Sequence, residues 1–311
     1  MFAPATIIGA GLAGALAAHR WPSAQIIEAS PEPRETHGAL LRFKTDAVTR
    51  ATGIELKKVR VRKGIVENGT FYATPSIRQE NLYSRKVLAD RVVSGRSIGA
   101  SIDVQSERYV PPKDFYWQLI EPLKDRIHWG VAVNALNIDS LPRPIVNTAP
   151  LSVILSAVGM QLPAGNPIRS AAVHVQRFDV HGVDLHQTLY FPGNETVVYR
   201  ASMVGDRLII EATQEVTNYD VECVLHGFGL RESDLDWLTS ERFVQPRGKI
   251  EPLADPIRKQ ILSSLTLRHE IFSLGRFATQ RSVVTDDLFS DMDRINAMIK
   301  SGSYMVLQQS S

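Results

Sequence analysis

The chain opens on an apolar run over residues 5–9, Ala5-Thr6-Ile7-Ile8-Gly9, short and rich in β-branched side chains, which reads as a buried strand. Residues 12–20 are dense in Ala and Leu and stop at Trp21-Pro22, so a helix is predicted there. Residues 24–28 return to an apolar strand that ends on the carboxylate of Glu28. For such a strand–turn–helix–strand unit, the expected geometry is a parallel pair joined by a right-handed crossover. From 54 to 73 the pattern changes period. Val59, Val61 and Ile65 alternate with Arg and Lys, and Asn68-Gly69 supplies a tight turn between two strands. Pro111-Pro112 precedes a predicted helix over 114–124, and 127–133 and 145–147 read as strands.

Beyond Pro167 the alternation is that of an antiparallel sheet. Residues 171–180, 188–191, 197–201 and 207–213 are strand-like, with turns at Pro192-Gly193-Asn194 and Gly205-Asp206. A short helix is predicted over 220–227 and another over 256–267, with Asp255 as its N-cap and Pro256 in its first turn. A strand over 271–274 and a helix over 287–300 complete the pattern, and the polar tail after Lys300 reads as frayed.

The strongest local signal is Gly9-Ala10-Gly11-Leu12-Ala13-Gly14. Gly9 allows the sharp exit from the strand, Gly11 lets backbone approach a pyrophosphate, and Gly14 lets helix and strand pack closely. The helix that begins there offers unpaired N–H groups and the positive end of its dipole to phosphates. Glu28 ends the next strand, where a carboxylate accepts hydrogen bonds from ribose hydroxyls. This context points to a dinucleotide, and the turn itself serves NAD and FAD alike.

Composition narrows the class. The chain has 311 residues, 44% hydrophobic and 22% charged, and a net charge of +2, which fits one large or two interleaved globular domains. Its single cysteine, Cys223, excludes an internal disulfide and a cysteine-rich zinc site. No run reaches the ~18 apolar residues of a membrane span. The apolar stretch from Ala3 to Ala18 lacks the basic flank of a secretory signal, so a reducing, cytoplasmic setting is expected. Charge is uneven: residues 34–96 hold 14 Lys and Arg against 6 acids, leaving that block at +8 and the rest at −6. Such a block either attracts a phosphate-bearing ligand or is a solvated face. No Ser-His-Asp spacing, Walker turn, zinc finger or helix-turn-helix signature is present, and His174, His181 and His186 match no metal spacing. No metal site is expected.

Two later segments carry a resemblance. Ile145-Val146-Asn147-Thr148-Ala149-Pro150 resembles the strand ending in Thr-x-Pro of amine-oxidase-like and UDP-galactopyranose-mutase-like flavoproteins, and Gly275-Arg276-Phe277-Ala278 with Asp286-Asp287 resembles their closing motif. The resemblance covers residues 5–42, 127–151 and 271–300. It implies FAD as cofactor, with Thr148, Gly275, Arg276 and Asp287 near the flavin side and Val131 or Val133 at the adenine. The family's Gly-Gly doublet after the acid is absent, Thr36-His37-Gly38-Ala39-Leu40-Leu41-Arg42 standing in its place, and no second Gly-rich turn follows. The implied fold is α/β: a Rossmann-like FAD-binding domain from residues 1–42, 127–165 and 268–311, with an interleaved mixed or antiparallel-sheet substrate domain from 43–126 and 166–267. Shorter strings (Ala39 to Phe43, Tyr83 to Val87, Arg96 to Ile98, Arg108 to Pro112, Tyr199 to Ser202) resemble bacteriophage-encoded FAD proteins associated with thymine hypermodification of phage DNA. That narrower resemblance implies C–N bond chemistry on an amino-acid-modified thymidine.

With a flavin supplying the redox chemistry, the protein must hold the charged groups of the substrate and exclude water. Arg gives bidentate recognition of carboxylate and phosphate. Arg42, Arg85, Arg96 and Arg200 are candidates for the substrate's carboxylate or phosphate groups, Arg42 also being a candidate on the cofactor side; Tyr199 is a further candidate on the substrate side, Tyr199-Arg200 resembling the mutases' Tyr-x-Arg cluster. The structural alternative for Arg200 is an ion pair with Glu211 on the neighbouring strand. His37 is a candidate flavin contact or general base, and with Arg200 completes the expected catalytic pair. The leading expectation is an FAD-dependent oxidoreductase or lyase acting on an anionic amine, with a small-molecule or modified-nucleotide substrate and a flipped DNA base as a further form of it. A mutase-like enzyme on a nucleotide sugar and a non-catalytic flavin-binding protein are the alternatives.

Overall fold

The computed structural model describes residues 3–35, 37–88, 92, 98 and 105–302. Its strands are β1 (Thr6–Ile8), β2 (Gln25–Ile27), β3 (Lys57–Glu67), β4 (Thr70–Tyr72), β5 (Gln105–Val110), β6 (Ile127–His128), β7 (Ile145–Asn147), β8 (Ser170–Val180), β9 (Leu185–Tyr190), β10 (Val198–Gly205), β11 (Arg207–Ala212), β12 (Leu235–Ile250) and β13 (Ile271–Ser273). The α-helices are α1 (Leu12–Arg20), α2 (Ala47–Thr52), α3 (Ile77–Val87), α4 (Phe115–Ile120), α5 (Leu151–Ala157), α6 (Asn218–Phe228), α7 (Asp255–His269), α8 (Arg276–Thr279) and α9 (Asp287–Ser301).

Two sheets share the chain. The first is five-stranded and parallel, in the order β13-β7-β1-β2-β6. Both faces are covered, as a parallel sheet requires. Ile7, Ile26, Val146 and Phe272 pack under α1, α4 and α9, while Ile8, Ile145 and Ile271 pack under α5 and α7. The second sheet runs β12-β8-β11-β10-β9-β3-β4, with β5 beside β3, and is antiparallel except where β3 lies parallel to β9. One of its faces packs Phe178, Ala201, Met203, Leu208 and Ile210 against Val221, Val224 and Leu225 of α6. The chain crosses between the sheets repeatedly, so the expected α/β class with an interleaved mixed sheet is the one observed.

Several elements differ from the sequence expectation. The strand expected over 127–133 stops after His128, because Gly130 takes φ +73° and turns the chain. The helix expected over 114–124 divides at Pro122: α4 ends at Ile120 and a tighter 3₁₀ segment runs Glu121–Arg126. Asp255 is the first residue of α7 rather than its N-cap, and its carboxylate holds Arg258 at 2.8 Å. The segments now forming α2, α3, α5, β5 and the 16-residue β12 were not anticipated. β12 is an edge strand with Pro246 at a register break, which suits a residue that cannot donate to a ladder. The tail expected to fray lies, beyond residue 302, outside the described residues.

Candidate functional site

β1 is the point where the strand order of the parallel sheet reverses, β2 lying on one side and β7 on the other. Open α/β sheets bind ligands at the carboxyl ends of such strands. Gly9 leaves β1 at φ +98°, and a Cβ there would fall 2.7 Å from Thr148 Oγ1. At Gly14 a Cβ would sit 1.8 Å from the Gly9 carbonyl oxygen, so only glycine lets α1 close onto the turn. Gly11 is different: a Cβ there meets nothing within 4 Å. Its backbone is extended, so the opening is reserved by space and not by conformation. No side chain caps α1, which leaves first-turn N–H groups available to an anion.

Glu28 braces this turn. Its Oε2 accepts from the Ala10 N–H at 2.6 Å and its Oε1 from the Ser30 N–H at 2.8 Å. A carboxylate has about four lone-pair sites, so acceptor capacity remains for ribose hydroxyls. Thr148 donates its hydroxyl to the Ile8 carbonyl at 2.8 Å, locking β7 to the turn from the other side. Gly275, at φ +85°, would bring a Cβ within 3.1 Å of Ala13 Cβ, so the start of α8 also touches the first turn of α1. The residues present fit a dinucleotide: two glycines shape the turn, a third leaves room in front of it, and an acid stands beside it.

From this turn a cavity of about 610 Å³ extends between the sheets. Gly11 and Leu12 line one part; His37, Tyr116, Arg177, His186, Arg207 and Ile209 are among its other walls. The segment around His37 is held from below. Arg177 of β8 donates from Nε to the Gly38 carbonyl at 2.7 Å and from Nη2 to the His37 carbonyl at 2.9 Å. Its guanidinium also stacks on the Phe243 ring, 4.7 Å from the centroid. The His37 Nε2 is buried with no hydrogen-bond partner. Burial, reinforced by the charge of Arg276, lowers the His37 pKa to about 4, so the ring is neutral near pH 7.

The structure sorts the candidate residues into three groups. Gly9, Ala10, Gly11, Leu12, Ala13, Gly14, Glu28, Thr148 and Gly275 converge on the turn. Val131 follows closely: its N–H donates to the Glu28 carbonyl at 2.9 Å, and its side chain is exposed. Arg276 stacks on Phe277, while Asp287 opens α9 and accepts from the Val284 N–H at 3.1 Å.

Tyr199 and Arg200 form a second group in the mixed sheet. The ladder slips between Val198 and Arg200, a bulge that sets both residues opposite Glu211. Arg200 grips the Glu211 carboxylate through Nε and Nη2, and the Tyr199 hydroxyl adds a bond of 3.2 Å. The ion-pair alternative for Arg200 is therefore present, and Arg200 is absent from the cavity wall. The third group stands elsewhere. Arg42 bonds to β9 and β10 of the mixed sheet rather than to the turn. Arg85 is on the exposed face of α3, and Arg96 lies outside the described residues. Arg177, His186 and Arg207 were missed as site residues. Their signal was a cationic or titratable side chain at alternating strand positions, which marks a sheet face but not what covers it.

Among the described residues, no cluster of three or more His, Cys, Asp or Glu side chains suits a metal ion, and no helix is long and apolar enough to cross a membrane.

No protein-family model matches the sequence, and no curated protein matches it. Solved structures do. The reduced form of UDP-galactopyranose mutase aligns over 96% of this chain and 94% of its own, with 14% identity and a TM-score of 0.65. A CLA-producing fatty acid isomerase from P. acnes aligns over 96% of this chain and 99% of its own, with 12% identity and a TM-score of 0.58. CtdE in complex with FAD aligns over 95% and 87%, with 11% identity and a TM-score of 0.48. The likeness to the first two is one of fold: the Rossmann-like α/β architecture and the second sheet are shared over nearly the whole length.

Proposed function

We propose that the protein is an FAD-dependent enzyme, an oxidoreductase or lyase acting on a C–N bond of an anionic amine. The observation that carries this is the continuity of the cavity, which joins the glycine turn at Gly11 and Leu12 to a wall of charged and polar side chains on the second sheet. Residues 9–14 would hold the pyrophosphate, Glu28 the ribose and Val131 the adenine, with Thr148, Gly275, Arg276 and Asp287 completing the enclosure. Bound there, FAD supplies an acceptor for the two electrons of a C–H bond adjacent to nitrogen.

The chain's own residues do the remainder. Neutral His37 offers Nε2 to the substrate as a hydrogen-bonding group that adds no charge, and Arg177 fixes its position through the backbone carbonyls of His37 and Gly38. Phe115, Tyr116 and Pro111-Pro112 give the cavity apolar walls that exclude water. Arg200 and Tyr199 act through the Glu211 cluster beneath the site, holding the sheet face that the substrate meets. An amino-acid-modified (glycyl-type) thymidine, as in phage DNA hypermodification, is one substrate of the stated class. A mutase-like reaction on a nucleotide sugar is the second reading, favoured by the fold shared with UDP-galactopyranose mutase across both sheets.

The test begins with the absorption spectrum and mass of the small molecule that co-purifies. Anaerobic bleaching of the flavin by an amino-acid-modified thymidine or another anionic amine supports the first reading. Turnover of UDP-sugars only after dithionite reduction supports the second. A yellow protein inert to every substrate leaves a flavin-binding protein without catalysis, and a colourless one that refuses FAD overturns the proposal.

A further inference from the structure

We infer that the cavity contains an anion subsite on the mixed sheet, where His186 of β9 lines the wall and Arg42, standing behind it, supplies positive charge, and that this subsite recognises a carboxylate or phosphate group of the substrate. This deepens the functional reading above and takes from it that the cavity is where substrate binds.

His186 lines the cavity, and both its ring nitrogens are buried without a hydrogen-bond partner. The nearest acid, Asp184, stands 3.9 Å from Nε2, beyond hydrogen-bond length. Arg42 reaches the same strand. It donates from Nη1 to Thr188 Oγ1 at 2.7 Å and from Nη2 to the Met203 carbonyl at 2.7 Å, both neutral acceptors. Its Nε is buried with no partner. Among the described residues no carboxylate lies within 4.0 Å of this guanidinium. Of the cations that line the wall, Arg177 faces Glu35 and Glu241, Lys113 faces Asp179 and Asp206, and Arg207 faces Asp179 at 3.0 Å, while Lys57 is exposed to solvent.

Buried polar groups are normally satisfied, and a buried guanidinium normally has an anion. Here three nitrogens on two adjacent side chains lack partners, and the charge that goes with them is positive. Burial and the Arg42 charge both lower the His186 pKa, so the ring is neutral and donates one N–H while accepting at the other nitrogen. A ligand oxyanion supplies what both residues lack: an acceptor for the imidazole N–H and a counter-charge for Arg42. An uncharged ligand would satisfy the imidazole and leave the guanidinium uncompensated.

The experiment uses the full chain with ¹⁵N-labelled histidine, His186 being assigned from the signal lost in His186→Gln. Inorganic phosphate, acetate and uncharged acetamide are titrated separately. A saturable shift of the His186 resonances with phosphate or acetate, and none with acetamide, is the expected result. The anion that saturates distinguishes a phosphate from a carboxylate ligand. Arg42→Gln should weaken that binding at least tenfold, with Arg42→Lys retaining part of it. No saturable shift with either anion, an equal response to acetamide, or unchanged affinity in a folded Arg42→Gln protein overturns the inference. Should Arg42→Gln not fold, calorimetric titration of His186→Gln decides it, since loss of anion binding is expected there and wild-type affinity refutes it. None of these readouts needs flavin: a colourless protein that binds the anion keeps the subsite and loses the flavin reading, and a yellow one without the response does the reverse.

Discussion

Gly11→Ala and Gly14→Ala add the same methyl group three positions apart, and they should fail in opposite ways. At Gly11 the new Cβ meets nothing within 4 Å, and φ −67° with ψ −179° suits any residue. The folded state then loses only the small preference of an N-cap for glycine over alanine, about 1 kcal/mol or less. At Gly14 the new Cβ would lie 1.8 Å from the Gly9 carbonyl oxygen and 2.9 Å from Thr148 Oγ1. Ordinary contact needs well over 3 Å, and the obstacle is backbone, so β1 and α1 must part. Overpacking of this kind costs roughly 1–3 kcal/mol or more. Urea unfolding followed by circular dichroism should therefore separate the two variants by about 2 kcal/mol. Flavin content after gel filtration should read differently. The Gly11 methyl occupies space reserved for a phosphate, and losing one or two charge-assisted bonds, about 1.5–3 kcal/mol, lowers FAD affinity on the order of 10–100-fold. A Gly11→Ala protein with full flavin, or a Gly14→Ala protein as stable as the parent, would refute the assignment of roles within the turn.

Removing one partner of the Arg200–Glu211 pair should destabilise the fold by about 3–5 kcal/mol, because each leaves a buried charge alone, whereas the double change Arg200→Met with Glu211→Leu should recover much of the loss. Chemical denaturation of the three variants measures this, and additive losses would argue against the pair. His37 has a folded pKa near 4 against 6.5 for an ordinary histidine. The unfolded chain thus binds the extra proton first, and the stability this gives is complete above about pH 6.5 and lost as pH falls toward 4. At most about 3 kcal/mol is involved, and His37→Gln should flatten the urea midpoint across that window; an unchanged profile would sink the assignment. Arg60 and Arg62 point outward from β3 and are exposed. Replacing both with Gln should leave phosphate or acetate affinity at 0.15 M salt within about twofold, since exposed charges are screened over about 8 Å; a tenfold loss would return binding to the basic block as a whole.

Much of the fold was legible because its signals are local. Three glycines, an apolar strand before them and Glu28 after them describe one compact unit, and each requirement is met within residues 6–28. The mixed sheet was legible where apolar residues alternate or run together rich in β-branched side chains, as in β8, β10 and β11. α3 was missed although Ser76 and Gln79 form a reciprocal cap at its start, a signal available in the sequence. β12 left no such mark, because an edge strand open to solvent needs no alternating apolar face. The bulge at Tyr199 was invisible for a different reason. Strict alternation puts neighbours on opposite faces, and only the slipped register brings both Tyr199 and Arg200 to Glu211.

The charge block shows why composition locates a site poorly. Its +8 is carried by side chains with quite different surroundings. On β3, Val59 and Val61 face inward, so Lys58, Arg60 and Arg62 between and beside them must face water. Lys58 meets Glu107 at 3.0 Å and Lys57 meets Asp184, so acids from other parts of the chain absorb much of the field. Arg42 belongs to the same block by sequence but enters the protein, where it finds a hydroxyl and a carbonyl and no acid. Charge density along the chain weights these residues equally; the cost of burying them does not. The cation left to be balanced by a ligand is the one whose desolvation nothing else in its surroundings offsets, and that distinction exists only once β9 and β10 are laid beneath it.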